Sequence, residues 1–302
     1  MMWETTRRNQ TGRNRRIWSV WIVALGLALV PDGAAAQYFG QNKVQYESFD
    51  FRVLRTDHFE VHYYPEEAEA ARDAARMAER WYARLSKLFG HEFNGRRPII
   101  LYADHPDFQQ TNVVEGSIGE STGGVTTALR ERVVLPLTGL DGETDHVLGH
   151  EIVHVFQYDI AQAPNGGGLS GMSRLPLWFV EGLAEYLSLG REDAQTAMWL
   201  RDAVLRDDIP TLDKLSRDSR YFPYRFGHAV WAYIGGRWGD EVIGPLYRSA
   251  LRRGLEGGIL ETLGLSADSL SKEWAAALRE TYGTVVSERT PPAEAGRRVI
   301  GG

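Results

Sequence analysis

Alternating apolar and polar residues dominate the first half of the chain and predict β-structure there. Residues 49–54 and 58–64 alternate on either side of a polar turn, which predicts a β-hairpin. Pro65 then opens an alanine-rich helical pattern that ends at Gly90. Further short strands are predicted at residues 98–102, 125–128 and 132–137.

The second half of the chain repeats its apolar positions every three to four residues, which is the spacing of α-helices. The predicted helices are residues 145–158, a helix opened by Pro176, and residues 194–206, 227–238, 241–253 and 270–282. Thr144 or Asp145 is the candidate cap of the first of them. Strands followed by helices indicate an α+β fold, with a mixed N-terminal sheet and a mostly helical C-terminal lobe.

The first of these helices contains residue types that bind metal. Residues 150–154 read H-E-x-x-H, and residues four apart on an α-helix lie about 40° apart around its axis. His150 and His154 therefore project from one face and can share one metal ion. Glu151 can hold a metal-bound water as a general base. The alternative is a helix with buried structural histidines.

A second apolar segment carries two carboxylates. Glu181 lies 27 residues after His154, and Glu185 follows four residues later on the same predicted helix face. Glu181 can serve as the third ligand, which leaves the fourth position of a zinc site for water. Glu185 can accept a hydrogen bond from the outer nitrogen of a ligand imidazole, most simply that of His150. A solvated acidic face is the alternative, and the apolar neighbours disfavour it.

His146 extends the histidines into one stripe, so His146 and His150 offer the same ligand geometry as His150 and His154. Val147 follows His146, however, and that pair would lack an adjacent base. His146 is therefore predicted to pack beside the site or to support a ligand.

The pairing of LGHEIVHVFQ with PLWFVEGLAEY resembles the gluzincin peptidases, the thermolysin-like group that holds zinc with two histidines and a glutamate. It is more closely similar to the "peptidase MA-like" domains found ahead of Tol-type β-propeller repeats in some bacterial secreted proteins. Residues 37–67 and 290–300 resemble the borders of that domain. No propeller repeats follow in this sequence, which is therefore interpreted as a stand-alone version or a piece of a longer protein.

This resemblance implies a zincin-like fold with the metal helix at the junction of sheet and helical lobe. It implies Zn²⁺ as the cofactor, held by His150, His154 and Glu181. It assigns Glu151 as the catalytic base and Glu185 as the acid behind a ligand.

Two further roles are implied by the same resemblance. Gluzincins bind an extended substrate along an edge strand, which here would be residues 124–128; an ordinary edge strand is the alternative. They also use a tyrosine or histidine opposite the zinc to stabilise the oxyanion. Tyr221, Tyr224 and His228 are the candidates, and packing against the Glu181 helix is the alternative for each.

The N-terminus has the pattern of an export signal. Arginines precede the apolar run at residues 17–30, and three alanines at 34–36 supply a small-residue cleavage site. Residues 1–36 are therefore predicted to be a signal peptide for a periplasmic or secreted protein, with an uncleaved anchor as the alternative. The chain contains no cysteine, which excludes disulfides and a lipid-anchored cysteine.

Charge limits the range of partners. The formal net charge is −6, and it becomes −9 without residues 1–36, which carry five arginines and two acids. This acidity argues against nucleic acid and anionic membranes as main partners. Residues 37–286 are predicted to form the metallopeptidase domain, and residues 287–302 a tail or linker.

The leading hypothesis is a zinc-dependent peptidase that acts on a peptide or protein substrate through a Glu151-activated water. The alternative is a non-catalytic, metal-stabilised binding or scaffold domain that docks a β-propeller domain or an envelope protein. A hydrolase of non-peptide amides would use the same residues.

Overall fold

A five-stranded mixed sheet precedes most of the helices in the computed structural model, which describes residues 43–114, 116–290 and 292–297. The strands are β1 (Arg52–Arg55), β2 (Phe59–Tyr63), β3 (Arg97–Tyr102), β4 (Val125–Thr127) and β5 (Arg132–Pro136). Their order is β1-β2-β3-β5-β4. The β1–β2 and β4–β5 pairs are antiparallel, whereas β3 runs parallel to β2 and β5. The predicted hairpin and the predicted second strand pair are thus confirmed.

The chain divides into Met1–Lys43 and a compact unit, Val44–Gly302, which holds all of these strands and the helices. The helices are α1 (Ala68–Phe89), α2 (His105–Gln109), α3 (Asp141–Gln162), α4 (Gly168–Met172), α5 (Leu177–Leu189), α6 (Ala194–Leu205), α7 (Leu212–Arg217), α8 (Pro223–Trp238), α9 (Ile243–Leu263), α10 (Ala267–Ser287) and α11 (Pro292–Ala295). Short 3-10 turns cover Pro65–Glu67 and Asp240–Val242. The α+β class is therefore confirmed.

The predicted signal peptide, residues 1–36, lies outside the described residues. Within the described ranges, none of the helices combines the length and the apolar character that crossing a membrane requires.

Helix α1 packs against both the sheet and α3, and its contact with α3 positions the histidines. The Trp81 indole lies against Gly149, where a Cβ atom would stand 2.5 Å from the ring. The Trp81 Nε1–H donates to the Asp145 side chain at 3.0 Å. A side chain at position 149 would therefore push α1 away from α3, the helix that carries the histidines.

Helix α3 is buried on nearly every side because both flanks of its H-E-x-x-H segment are apolar. Leu148, Ile152, Val153, Val155 and Phe156 are all fully buried. Such a helix lies in the core, between the sheet and the later helices, and not on the surface.

The predicted cap of α3 is wrong. The helix begins at Asp141, and Thr144 and Asp145 lie inside it. The first turn contains Asp141 and Glu143, whose negative charges favour the N-terminal end of a helix. The Thr144 hydroxyl is instead hydrogen-bonded to that of Thr138 at 3.0 Å. This earlier start adds one turn ahead of the metal-binding segment.

Two later helices also differ from their predicted bounds. Helix α8 begins at Pro223, a favourable first residue for a helix, so Tyr224 and His228 are both helical. Helix α9 continues to Leu263 past a kink at Gly254, whose φ of 76° favours glycine. Because α8 begins at Pro223, the positions of the Tyr224 and His228 side chains are set by the geometry of this helix.

Helices α5 and α8 touch through their backbones at two glycines. A Cβ atom at Gly182 would lie 2.4 Å from Gly227 Cα, and one at Gly227 would lie 2.2 Å from the Trp178 carbonyl oxygen. The Trp231 Nε1–H donates to the Phe179 carbonyl at 2.9 Å across the same contact. This close approach brings the N-terminal turn of α8 next to the carboxylates of α5.

Candidate metal centre

Three side chains from two helices converge on one point. The Nε2 atoms of His150 and His154, one turn apart on α3, are 3.1 Å from each other. Glu181 Oε2, from α5, lies 3.2 Å from His150 Nε2 and 3.1 Å from His154 Nε2. The structure thus brings together the three predicted ligands, and both histidines are buried.

The spacing of these atoms fits a metal ion. A tetrahedral zinc with bonds of about 2.1 Å separates its ligand atoms by about 3.4 Å. The observed separations of 3.1 and 3.2 Å among the imidazole nitrogens and the carboxylate oxygen are close to that value. Two imidazoles with one carboxylate are also a ligand set that zinc accepts while keeping a fourth position open.

Polar contacts on the outer nitrogens set the direction of both imidazoles. His154 Nδ1 lies 2.7 Å from Gln157 Oε1, and the Gln157 amide donates to the Val180 carbonyl at 3.0 Å. His150 Nδ1 lies within ion-pair distance, 3.1 Å, of Glu185 Oε1, the carboxylate that the sequence analysis paired with it. With a proton on each Nδ1, both Nε2 lone pairs face the common point.

Gln157 was missed by the sequence analysis. Its signal is weak but present: an amide three residues after His154, on the same helix and inside an apolar run. It is fully buried, and buried amides are rare without a partner to satisfy.

Glu185 is itself held by a cation that the sequence analysis did not single out. The Arg225 guanidinium, from the first turn of α8, donates to Glu185 Oε2 at 3.0 Å and to Asp193 Oδ2 at 3.3 Å. His146 Nε2 lies 3.7 Å from the other Glu185 oxygen. His146 therefore lies beside Glu185, the acid next to His150.

Strand β4, at one edge of the sheet, fixes the side chain of Glu151. The Thr126 hydroxyl on β4 donates to Glu151 Oε2 at 2.7 Å and lies 3.1 Å from the Glu151 carbonyl oxygen. A Cβ atom at Gly124 would stand 2.9 Å from Glu151 Cγ. The carboxylate is therefore confined between a hydroxyl and a glycine backbone, which limits its rotamers.

A cleft of about 470 Å³ opens beside these residues. His146, His150, Glu151 and Tyr224 line it, together with residues 121–124. The Tyr224 ring is nearly parallel to that of His150, with centroids 6.1 Å apart. Burial, and then the Glu181 carboxylate, raise the pKa of Tyr224, so its hydroxyl stays protonated and able to donate.

The other two oxyanion candidates have partners elsewhere. The Tyr221 hydroxyl donates to Asp208 Oδ1 at 2.6 Å. His228 Nε2 donates to the Gly190 carbonyl at 2.8 Å, and the ring lines a different cavity. Of the three residues, the structure brings Tyr224 to the cleft and leaves Tyr221 and His228 out of its lining.

The electrostatics of the group favour a cation. Burial opposes a charge on His150, but the Glu181 and Glu185 carboxylates outweigh it and raise the pKa of His150 to about 10. Burial likewise opposes ionisation of Glu181, but the His154 and His150 imidazoles outweigh it and hold its pKa well below the usual range. Carboxylates that hold protons on buried imidazoles would also stabilise a divalent ion in the protons' place.

Comparison of the sequence with protein-family models gives no match, and comparison with curated proteins gives none either.

Proposed function

We propose that this chain is a zinc-dependent peptidase with a zincin-like fold, of the gluzincin type. The observation that carries the proposal is the convergence of His150, His154 and Glu181 next to Glu151, which lines an open cleft. A metal site that serves folding alone closes its coordination and needs no acid beside a ligand. The position of Glu151 therefore supports catalysis over a purely structural role.

The residues around the cleft have separate parts in this chemistry. Zinc, when bound, would polarise the scissile carbonyl and lower the pKa of a water molecule. Glu151 would take the proton of that water and deliver it to the leaving amine. Thr126 holds one oxygen of the Glu151 carboxylate, which leaves the other for the proton. Tyr224 is the candidate donor to the carbonyl oxygen of the substrate.

The position of β4 at the edge of the sheet favours an extended peptide or protein as the substrate. Among the described residues, β4 pairs with β5 on one side and has no strand on the other. Its free backbone groups are therefore available to an added strand. Residues 121–124, which lead into β4, line the cleft beside Glu151. A peptide paired with β4 would run past the proposed base.

The proposed substrate is extracytoplasmic, because the predicted export signal over residues 1–36 would carry the chain to the periplasm or out of the cell.

Metal content and casein hydrolysis, measured on the same preparations, test the proposal. We expect about one zinc per chain in the native protein and in Glu151→Gln, and none in Glu181→Ala. Hydrolysis should fall by about 10²–10⁴-fold in Glu151→Gln, because the general base is removed. Glu143→Gln is the matched control, since Glu143 is an exposed acid on the same helix, and it should keep full activity.

Full activity in Glu151→Gln would refute the mechanism. Bound zinc without hydrolysis of casein or a panel of unfolded proteins by the native chain would instead support a metal-stabilised domain that docks a β-propeller or envelope protein.

A further inference from the structure

A row of aromatic rings begins at the candidate metal centre and continues past the lining of the cleft. The Tyr224 ring is nearly parallel to that of His150, with centroids 6.1 Å apart. The Phe222 ring stacks on Tyr224 at 5.2 Å, and the Trp199 ring follows at 5.7 Å from Phe222. Phe222 and Tyr224 both line the cleft. One wall of the cleft is therefore aromatic, and Trp199 extends it.

The two outer rings of this row are open to solvent. Phe222 is 40% exposed and Trp199 is 39% exposed. Single apolar side chains on a surface are ordinary, whereas neighbouring ones beside a groove are typical of a binding site. Phe222 and Trp199 together are called the aromatic platform.

Neighbouring rings hold the platform in place. The Trp199 ring, from α6, meets the edge of the buried Phe226 ring, with centroids 6.3 Å apart and planes at 80°. The Phe222 ring, directly before α8, lies within 24° of parallel to Tyr224. Rings supported in this way by two helices lose little conformational entropy when they bind a ligand.

The sheet contributes another part of the cleft lining, through residues 121–124, which lead into β4. A peptide paired with β4 is extended, and every second side chain of it can point to the aromatic wall. The ring spacings place Trp199 at most about 17 Å from His150, and an extended peptide advances about 3.3 Å per residue. The platform therefore lies within about five residues of the bond held at the metal centre.

Flat rings favour an aromatic ligand over an aliphatic one of similar size. Offset-stacked and edge-to-face ring pairs gain from the geometry of their π-systems as well as from burial. An aliphatic side chain gains from burial alone.

We propose that the aromatic platform, Trp199 and Phe222, is a specificity subsite that selects an aromatic side chain in an extended peptide substrate. The substrate ring stacks on the platform while the substrate backbone pairs with β4. This assignment rests on the proposed peptidase function, because it names the peptides that the same cleft prefers. The platform residues determine which sequence is bound and take no part in the proton transfer assigned to Glu151.

Capped peptides of alternating threonine and alanine test this subsite, with phenylalanine, leucine, arginine or alanine placed in turn at each position. Hydrolysis by the native full chain gives kcat/KM for each peptide. Calorimetry on full-length Glu151→Gln gives the affinity without cleavage. At one position we expect phenylalanine to exceed leucine by about three- to tenfold in both measurements, because only the aromatic ring gains from stacking.

Variants assign the preference to the platform. Trp199→Ala and Phe222→Ala should each bring the ratio of phenylalanine to leucine peptides close to one, while thermal unfolding stays cooperative. Trp199→Phe keeps a ring and should retain most of the ratio. Leu260→Ala is the matched control, since Leu260 is a 58% exposed apolar side chain on α9 outside the cleft lining, and the ratio should stay native.

Failure of this subsite and failure of the peptidase proposal give different results. Casein hydrolysis with equal rates for phenylalanine and leucine at every position, or with a preference for arginine, would overturn the subsite alone. A ratio that survives in both Trp199→Ala and Phe222→Ala would overturn it as well. If the native chain cleaves neither casein nor peptides, the peptidase proposal fails and calorimetry still decides. A phenylalanine preference that Trp199→Ala removes supports the subsite, and the absence of that preference overturns it.

Discussion

Gln157 links the metal-binding helix to the helix that supplies the third ligand. Its side-chain oxygen Oε1 accepts from His154 Nδ1 at 2.7 Å, and its side-chain Nε2 donates to the Val180 carbonyl at 3.0 Å. Val180 directly precedes Glu181 on α5. Gln157→Leu keeps a similar side-chain volume and removes both bonds. The variant therefore tests whether the orientation of His154 depends on this amide.

Two effects of Gln157→Leu can be estimated. Loss of a hydrogen bond behind a metal ligand lowers metal affinity by about 10–100-fold, or about 1.4–2.7 kcal/mol. The substitution also leaves the His154 Nδ1–H buried without this partner, at about 1–3 kcal/mol of unfolding free energy, whereas the Val180 carbonyl keeps its backbone bond within α5. Zinc affinity and stability should therefore both fall.

The assay measures zinc affinity by competition with a chromophoric chelator, and the stability of the metal-free chain by urea unfolding. Trp231→Phe is the matched control, because it removes a donor to the neighbouring Phe179 carbonyl on the same helix and touches no ligand. We expect Trp231→Phe to lose stability and keep the native zinc affinity. Unchanged zinc affinity in Gln157→Leu, or an equal loss in both variants, would refute the orienting role of Gln157.

Three further predictions concern the base, the helix contact and pH. Thr126→Val frees the Glu151 carboxylate and should lower kcat about 10–100-fold with little change in KM, whereas Thr126→Ser should retain most activity. Equal kcat values for these two variants would contradict the prediction. Gly227→Ala should cost about 1–3 kcal/mol in urea unfolding through overpacking, while Gly236→Ala, which meets no neighbour within 4 Å, should stabilise α8 by about 0.5–1 kcal/mol. In the metal-free protein, prepared with a chelator, folding raises the pKa of His150 from 6.5 to about 10. The charged imidazole therefore contributes its full share to the free energy of unfolding below pH 6.5, and this contribution is lost as the pH rises through 10. The urea midpoint should fall across that window, and a rising profile would argue against the charged imidazole.

Local patterns in the sequence were enough to predict most elements of the sheet and the spacing of the ligands. The hairpin, the long helix that ends at Gly90 and the pair β4–β5 all appear where alternation or helical spacing predicts them. His150 and His154 share a face because the period of the α-helix is the same in any environment. Bounds were less reliable, since α3 gained a turn from Asp141 and α8 began at Pro223.

The choice among candidate residues depended on contacts between distant parts of the chain. Tyr224 and His228 are one turn apart on α8 and equally plausible by type, yet one lines the cleft and the other a separate cavity. Thr126 reaches Glu151 across 25 positions, and Arg225 reaches Glu185 across 40. No local pattern marks such pairs.

The sequence by itself therefore determined the α+β class, the two imidazoles on one helix face and the two carboxylates on another, because each follows from the short-range period of the backbone. Tertiary structure decided that Glu181 meets both imidazoles, that Gln157 and Glu185 orient them, and which tyrosine joins the cleft. Those outcomes follow from the packing of α3, α5 and α8, in which the contact between Gly182 and Gly227 brings α5 and α8 together. Packing of this kind is a property of complementary surfaces, which residues far apart in the chain form together.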